Sequence, residues 1–186
     1  MSAHAHIDGS NKRIAILIAA LAALLALSES AGKSAQTAAI GHNIEASNLW
    51  AFFQAKTIRQ TTLRTAAEGL EADAAEGLSE AKAELFKKRI EAWRATAQRY
   101  ESEPETNEGR RELMARARNT EGLRDKALAA YHQFEFGSAA FQIGIVLASA
   151  SVITGAIWLA LGAGVLGVVG MAFTALGLFA PTLIHL

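Results

Sequence analysis

The sequence predicts an all-α membrane protein with one N-terminal transmembrane helix, a charged, coiled-coil-like helical soluble domain and a C-terminal two-helix transmembrane hairpin. Three observations carry this. The 51 residues from Phe136 to Leu186 contain no Lys, Arg, Asp or Glu, about twice the ~20 apolar residues that one bilayer crossing needs. The other apolar block, Ile14 to Leu27, lies at the opposite end, with most of the 18 basic and 18 acidic residues between the two. Only two prolines occur, among abundant Ala, Leu, Glu, Lys and Arg, a composition that favours helix.

Residues 1–13 read as a polar tail. Residues 14–27 form the first span, which is short at about 21 Å. Two readings compete, a retained transmembrane helix or a secretory signal with small residues at Ser28 and Ser30 before Ala31; we take the span as retained. The helical pattern continues past Leu27 to about residue 66. Glu29 and Lys33 stand four apart with the acid first, the favourable order for an ion pair. The segment ends near the cluster Leu49, Trp50, Phe52 and Phe53, read as core.

Residues 28–136 form the charged helical domain. Its repeated Ala-Glu-Gly-Leu, at Ala67 and again at Ala75, places a break near residues 69–78, because a glycine costs a helix interior about 1 kcal/mol. Phe86, Ile90, Trp93, Ala97 and Tyr100 then follow the 3/4 spacing of a packed helix. Pro104 disfavours helix at Glu103, giving a second break near 103–105, and Glu105 and Glu108 suit the first turn of the next helix. The 3/4 spacing resumes at Leu113, Ala117, Thr120 and Leu123. Chain length demands the first break or a segment lying on the membrane. A straight helix from Glu29 to Ser102 would rise about 110 Å, and Glu105 to Glu135 could return only about 46 Å.

In the charge-free tail, spans are expected at 138–160 and 165–183, with the turn at Leu161 to Gly164. Gly144, Ala148, Ser151, Gly155 and Gly162 mark one small-residue face, and Gly167, Gly170, Thr174 and Gly177 mark another. In lipid such faces let backbones approach closely, since dispersion contact must drive helix association. The spans carry none of the charged residues that transporters place in theirs.

Charge balance in the middle argues against nucleic acid as a partner. Without cysteine there is no disulfide, thiolate metal site or thiol nucleophile. Gly32-Lys33-Ser34 looks like the end of a P-loop, but Leu27 stands where its first glycine is required. His4 and His6 could take Cu(II) or Ni(II) if Met1 is removed, a weak candidate in a tail better read as incidental histidines. His42, His132 and His185 stand alone. No catalytic constellation is found, so neither an enzyme nor a cofactor is expected. The least ordinary stretch is the polar set Glu29, Lys33, Gln36, His42, Asn43, Glu45 and Asn48 beside the first span. It reads as a solvated helix face, with a buried network at an oligomer interface or a lipid-headgroup site as the sharper alternatives.

The segment LALSESAGKSAQTAAIGHNIEASNLWAFFQAKTIRQTTLRTAAE, Leu25 to Glu68, resembles an uncharacterised bacterial inner-membrane family known only as a domain of unknown function, family 4337. The resemblance continues through Arg99 to Thr106 and Tyr131 to Phe134. It implies a multi-pass protein of the bacterial inner membrane with one N-terminal span and a C-terminal hairpin, and it implies no activity. Counting Lys12 and Arg13 against Lys33, Arg118, Arg124 and Lys126 favours a cytoplasmic middle domain, whereas a signal anchor would export it. The expected function is that of a membrane-anchored structural or interaction protein, a homo-oligomer whose charged domain mediates assembly or docks another membrane protein. The alternative is a small oligomeric channel with an apolar gate.

Overall fold

The computed structural model describes residues 9–75, 77 and 79–184, and these form four α-helices and no strand. They are α1 (Gly9–Ala74), α2 (Glu80–Glu101), α3 (Arg110–Thr154) and α4 (Ile157–Phe179). Stretches long and apolar enough to cross a membrane occur in α1, α3 and α4. The chain divides into two units, one from Met1–Ile40 with Leu123–Leu186 and one from Gly41–Gly122. We call them the apolar unit and the headpiece.

In the apolar unit, α1 buries Ile14, Leu21, Ser28 and Ala39 at spacings of seven and eleven, one stripe of a helix lying along its neighbours. Ile14, Leu21, Phe141, Ala148, Ala160 and Ala163 form its core. Glycine sets how closely the helices approach. A Cβ on Gly170 would stand 2.6 Å from the fully buried Phe141 ring, one on Gly177 2.9 Å from Phe134, and one on Gly167 2.8 Å from Leu21. On α3, Gly144 faces Leu21 and the Ala163 carbonyl, while Ala148 and Ser151 are buried. Outward from this core the same helices expose Val146, Ile153, Leu161, Val165 and Val168. An apolar exterior over a small-residue interior is the pattern of helices packed in lipid.

The hairpin turn differs from expectation. It lies at Gly155-Ala156, so the first tail helix ends at Thr154 and the second begins at Ile157, not at residues 160 and 165. Gly155 adopts φ +69°, a left-handed conformation that glycine tolerates best. Two hydroxyls brace the turn, Ser151 Oγ donating to the Ala156 carbonyl at 3.0 Å and Thr154 Oγ1 accepting from the Ala156 amide at 3.3 Å. Gly155 is thus a turn residue with nothing within 4 Å of an added Cβ, not a packing residue. Gly162 sits inside α4, half-buried beside Leu147, and does not belong to the α3 face.

In the headpiece, α1 runs on to Ala74, beyond the expected end near 66, with Gly69 exposed inside it. The reversal is made at Gly77, whose φ is +87°. Leu49, Leu113 and Ala117 form the core, with Trp50, Phe52 and Phe53 packed against them. At the second break α3 starts at Arg110, so Glu105 and Glu108 lie in the loop instead of a first helical turn. Asn107, at φ 55°, turns that loop. Glu112 then folds it onto α3, accepting from Ser102 Oγ at 2.6 Å and the Glu103 amide at 3.2 Å.

Candidate functional site: a polar groove in the apolar unit

Where the apolar run of α1 ends at Leu27 and the charge-free run of α3 begins at Phe136, the two helices enclose a groove of about 530 Å³. Ser28, Glu29, Gly32, Lys33 and Gln36 of α1 line it, opposite Tyr131, Phe134, Glu135, Ser138, Ala139 and Gln142 of α3. The helices approach closely here because Gly32 offers no side chain to Phe134, 3.3 Å from where a Cβ would stand. Ser28 is fully buried and donates to the Phe134 carbonyl at 3.0 Å, with the Thr174 hydroxyl of α4 3.3 Å away. One serine thus ties three helices together.

Of the polar set singled out in the sequence, Glu29, Lys33 and Gln36 line this groove; Asn43 and Glu45 are exposed on α1 of the headpiece. The expected Glu29–Lys33 pair is not made. Glu29 Oε1 instead accepts from Gln142 Nε2 at 3.2 Å, a contact across 113 residues that outranks the local one. Among the described residues no carboxylate lies within 4.0 Å of Lys33 Nζ. Glu135 stands 3.6 Å from His132 Nδ1. Ser138 is only 8% exposed, and its Oγ has no hydrogen-bond partner among the described residues.

Sequence reasoning missed Ser28, Ser138 and Glu135 as groove residues. The available signal was the hydroxyl spacing of Ser28 and the tail residues, which reads equally well as ordinary membrane-helix polarity. Among the described residues no cluster of His, Asp or Glu suits a metal, and His4 and His6 lie outside the described residues.

The headpiece carries a second polar assembly. Arg110 Nη1 donates to Glu101 Oε2 at 2.6 Å and Gln60 Oε1 at 2.7 Å, and its Nε donates to Thr57 Oγ1 at 2.9 Å. Gln60, 2% exposed, donates in turn to the Ala97 carbonyl and to Glu101. The Gln60 hydrogen bond and the nearby Arg110 charge hold the Glu101 carboxyl below the usual range, outweighing the burial that raises it. Lys56 is buried over the Phe52 and Tyr100 rings, 3.8 Å from Glu103. All of these contacts lie within the headpiece and tie α1 to α2, to α3 and to the loop between them.

The outward face of α1 in the headpiece is different in kind. Ile44, Ala51, Ile58 and Thr65 recur every seven residues, with Ser47, Gln54 and Thr61 between them, and all are exposed. This stripe carries no charge in a unit otherwise dense with it.

A family model described as Domain of unknown function (DUF4337) matches residues 10–180. The chain belongs to this family. The DUF4337 match takes in all of α2, α3 and α4 and nearly all of α1, so groove, network and stripe all lie within it. Comparison with curated proteins and with solved structures gave no match.

Proposed function

We propose that this DUF4337 protein is a membrane-anchored interaction protein that assembles with copies of itself through the outward face of α1 in its headpiece. The uncharged stripe carries this reading. Ile44 and Ile58 are 56% and 67% exposed, and covering what remains exposed of each against a partner is worth about 1–2 kcal/mol. Seven-residue spacing lets a helix meet its own copy in register. Because α1 also carries an apolar span, two copies in one bilayer present the stripe in the same direction, and Ile44 and Ile58 meet their equivalents. The charge-free spans serve as the anchor, in a bacterial inner membrane with the headpiece on the cytoplasmic side.

Leu21 and Phe141 fill the centre of the apolar unit, so an ion path would have to run between copies. The mass of the purified full chain in lipid nanodiscs, with conductance measured on the same preparation, tests the proposal. A defined oligomer that Ile58→Glu reduces to monomer at unchanged helix content is expected. A wild-type monomer overturns self-assembly, and ion flux would replace the anchor reading with the channel.

A further inference from the structure

Three features of the groove between α1 and α3 point to an occupant. It is bipolar, since Lys33 faces it with no carboxylate partner among the described residues, while Glu29 and Glu135 line it as well. It holds a buried donor, the Ser138 hydroxyl, with no hydrogen-bond partner among the described residues. It also sits where both helices pass from charged to charge-free sequence, the level at which lipid headgroups lie.

We propose that this groove binds the headgroup of an aminophospholipid, a phosphodiester with a primary ammonium. Lys33 takes the phosphate in a charge-assisted contact, and the Ser138 hydroxyl, covered in this structure, turns about its side-chain bond to donate to a phosphate or ester oxygen. Glu29 and Glu135 take the ammonium, while Gln142 steadies Glu29. Both ends of the zwitterion are needed for the match. An anionic headgroup meets two carboxylates against one lysine and is disfavoured. A choline headgroup has no N–H to give the carboxylates. At about 530 Å³ the groove falls within the size range of small-ligand sites, and Phe134 supplies an apolar wall for the glycerol end. The assignment does not depend on self-assembly.

Native mass spectrometry of the delipidated full chain, titrated with phosphatidylethanolamine, phosphatidylcholine and phosphatidylglycerol, tests it, since oligomer state and bound lipid appear as separate mass differences. Phosphatidylethanolamine should bind at least tenfold more tightly than the other two. Lys33→Ala and the pair Glu29→Gln with Glu135→Gln should each abolish that preference, and Lys33→Arg should retain it. These side chains are exposed, so the variants should keep wild-type helix content; if Lys33→Ala does not, Lys33→Gln replaces it, and if the pair does not, Glu135→Gln alone replaces it. Equal binding of the three lipids, or a preference that survives the substitutions, overturns the proposal. So does binding of soluble phosphoethanolamine as tight as that of the lipid, which would make the ligand a free phosphate compound.

Discussion

Replacing Gly170 by alanine should expose how tightly the apolar unit is packed. The added methyl would stand 2.6, 2.8 and 2.9 Å from three atoms of the fully buried Phe141 ring. Overpacking of this kind costs about 1–3 kcal/mol. Alanine also favours helix over glycine by about 1 kcal/mol, and that gain must be removed before the clash is read. Gly164→Ala provides the correction. It lies in the same helix with nothing within 4 Å of the new methyl. Denaturant unfolding of the full chain in mixed micelles, followed by helix content, should place Gly170→Ala about 1–3 kcal/mol below Gly164→Ala. Phe141→Leu should remove most of that difference, because contacting residues couple. If the two alanine variants are equally stable, the close approach of α4 to α3 is wrong.

Arg110→Ala should cost the headpiece about 3 kcal/mol, since it strands the Gln60 oxygen and the Glu101 carboxylate in a half-buried network, and thermal unfolding of the full chain reads it. Arg110→Lys should recover only part, because one ammonium cannot reproduce the forked contacts to Glu101, Gln60 and Thr57. Acid should loosen the headpiece. Glu101, Glu103 and Glu112 are lowered chiefly by hydrogen bonds from Gln60, Arg99 and Ser102 respectively. The stability they add is therefore complete above the ordinary carboxylate range and is lost as pH falls through their lowered folded values. A pH series of melting temperatures should drop there, with Glu101→Gln flattening the drop. Gly155→Ala should destabilise the hairpin by about 1 kcal/mol, because alanine resists the left-handed turn, and the same micelle assay measures it.

The helical class was legible because composition and 3/4 spacing act locally; of the small residues singled out, Gly144, Ala148, Ser151, Gly167, Gly170 and Gly177 are buried, whereas Gly155 and Gly162 are not. Gly167, Gly170 and Gly177 could be read that way, though not which side chain each would receive. The hairpin turn was not legible, since Gly162-Ala163-Gly164 looks more like a break than the single Gly155 does. The outcome depends on which glycine must adopt positive φ, and the bracing hydroxyls of Ser151 and Thr154 were the overlooked signal. Glu29 illustrates the other limit. Its local partner Lys33 was visible in the sequence, and its actual partner Gln142 became visible only once α1 and α3 were packed together. Ser138 escaped notice for the same reason, because an unsatisfied hydroxyl is a property of packing.

Self-assembly through α1 has a direct measurement, and the sequence makes it clean because the chain has no native cysteine. Single variants Ile44→Cys, Ala51→Cys, Ile58→Cys and, on another exposed face of the same helix, Arg64→Cys are oxidised in intact membranes and resolved by mass. Crosslinked dimers are expected at the three stripe positions, with little at Arg64→Cys. Crosslinking equal at all four positions, or absent from the stripe, would contradict self-assembly through this face.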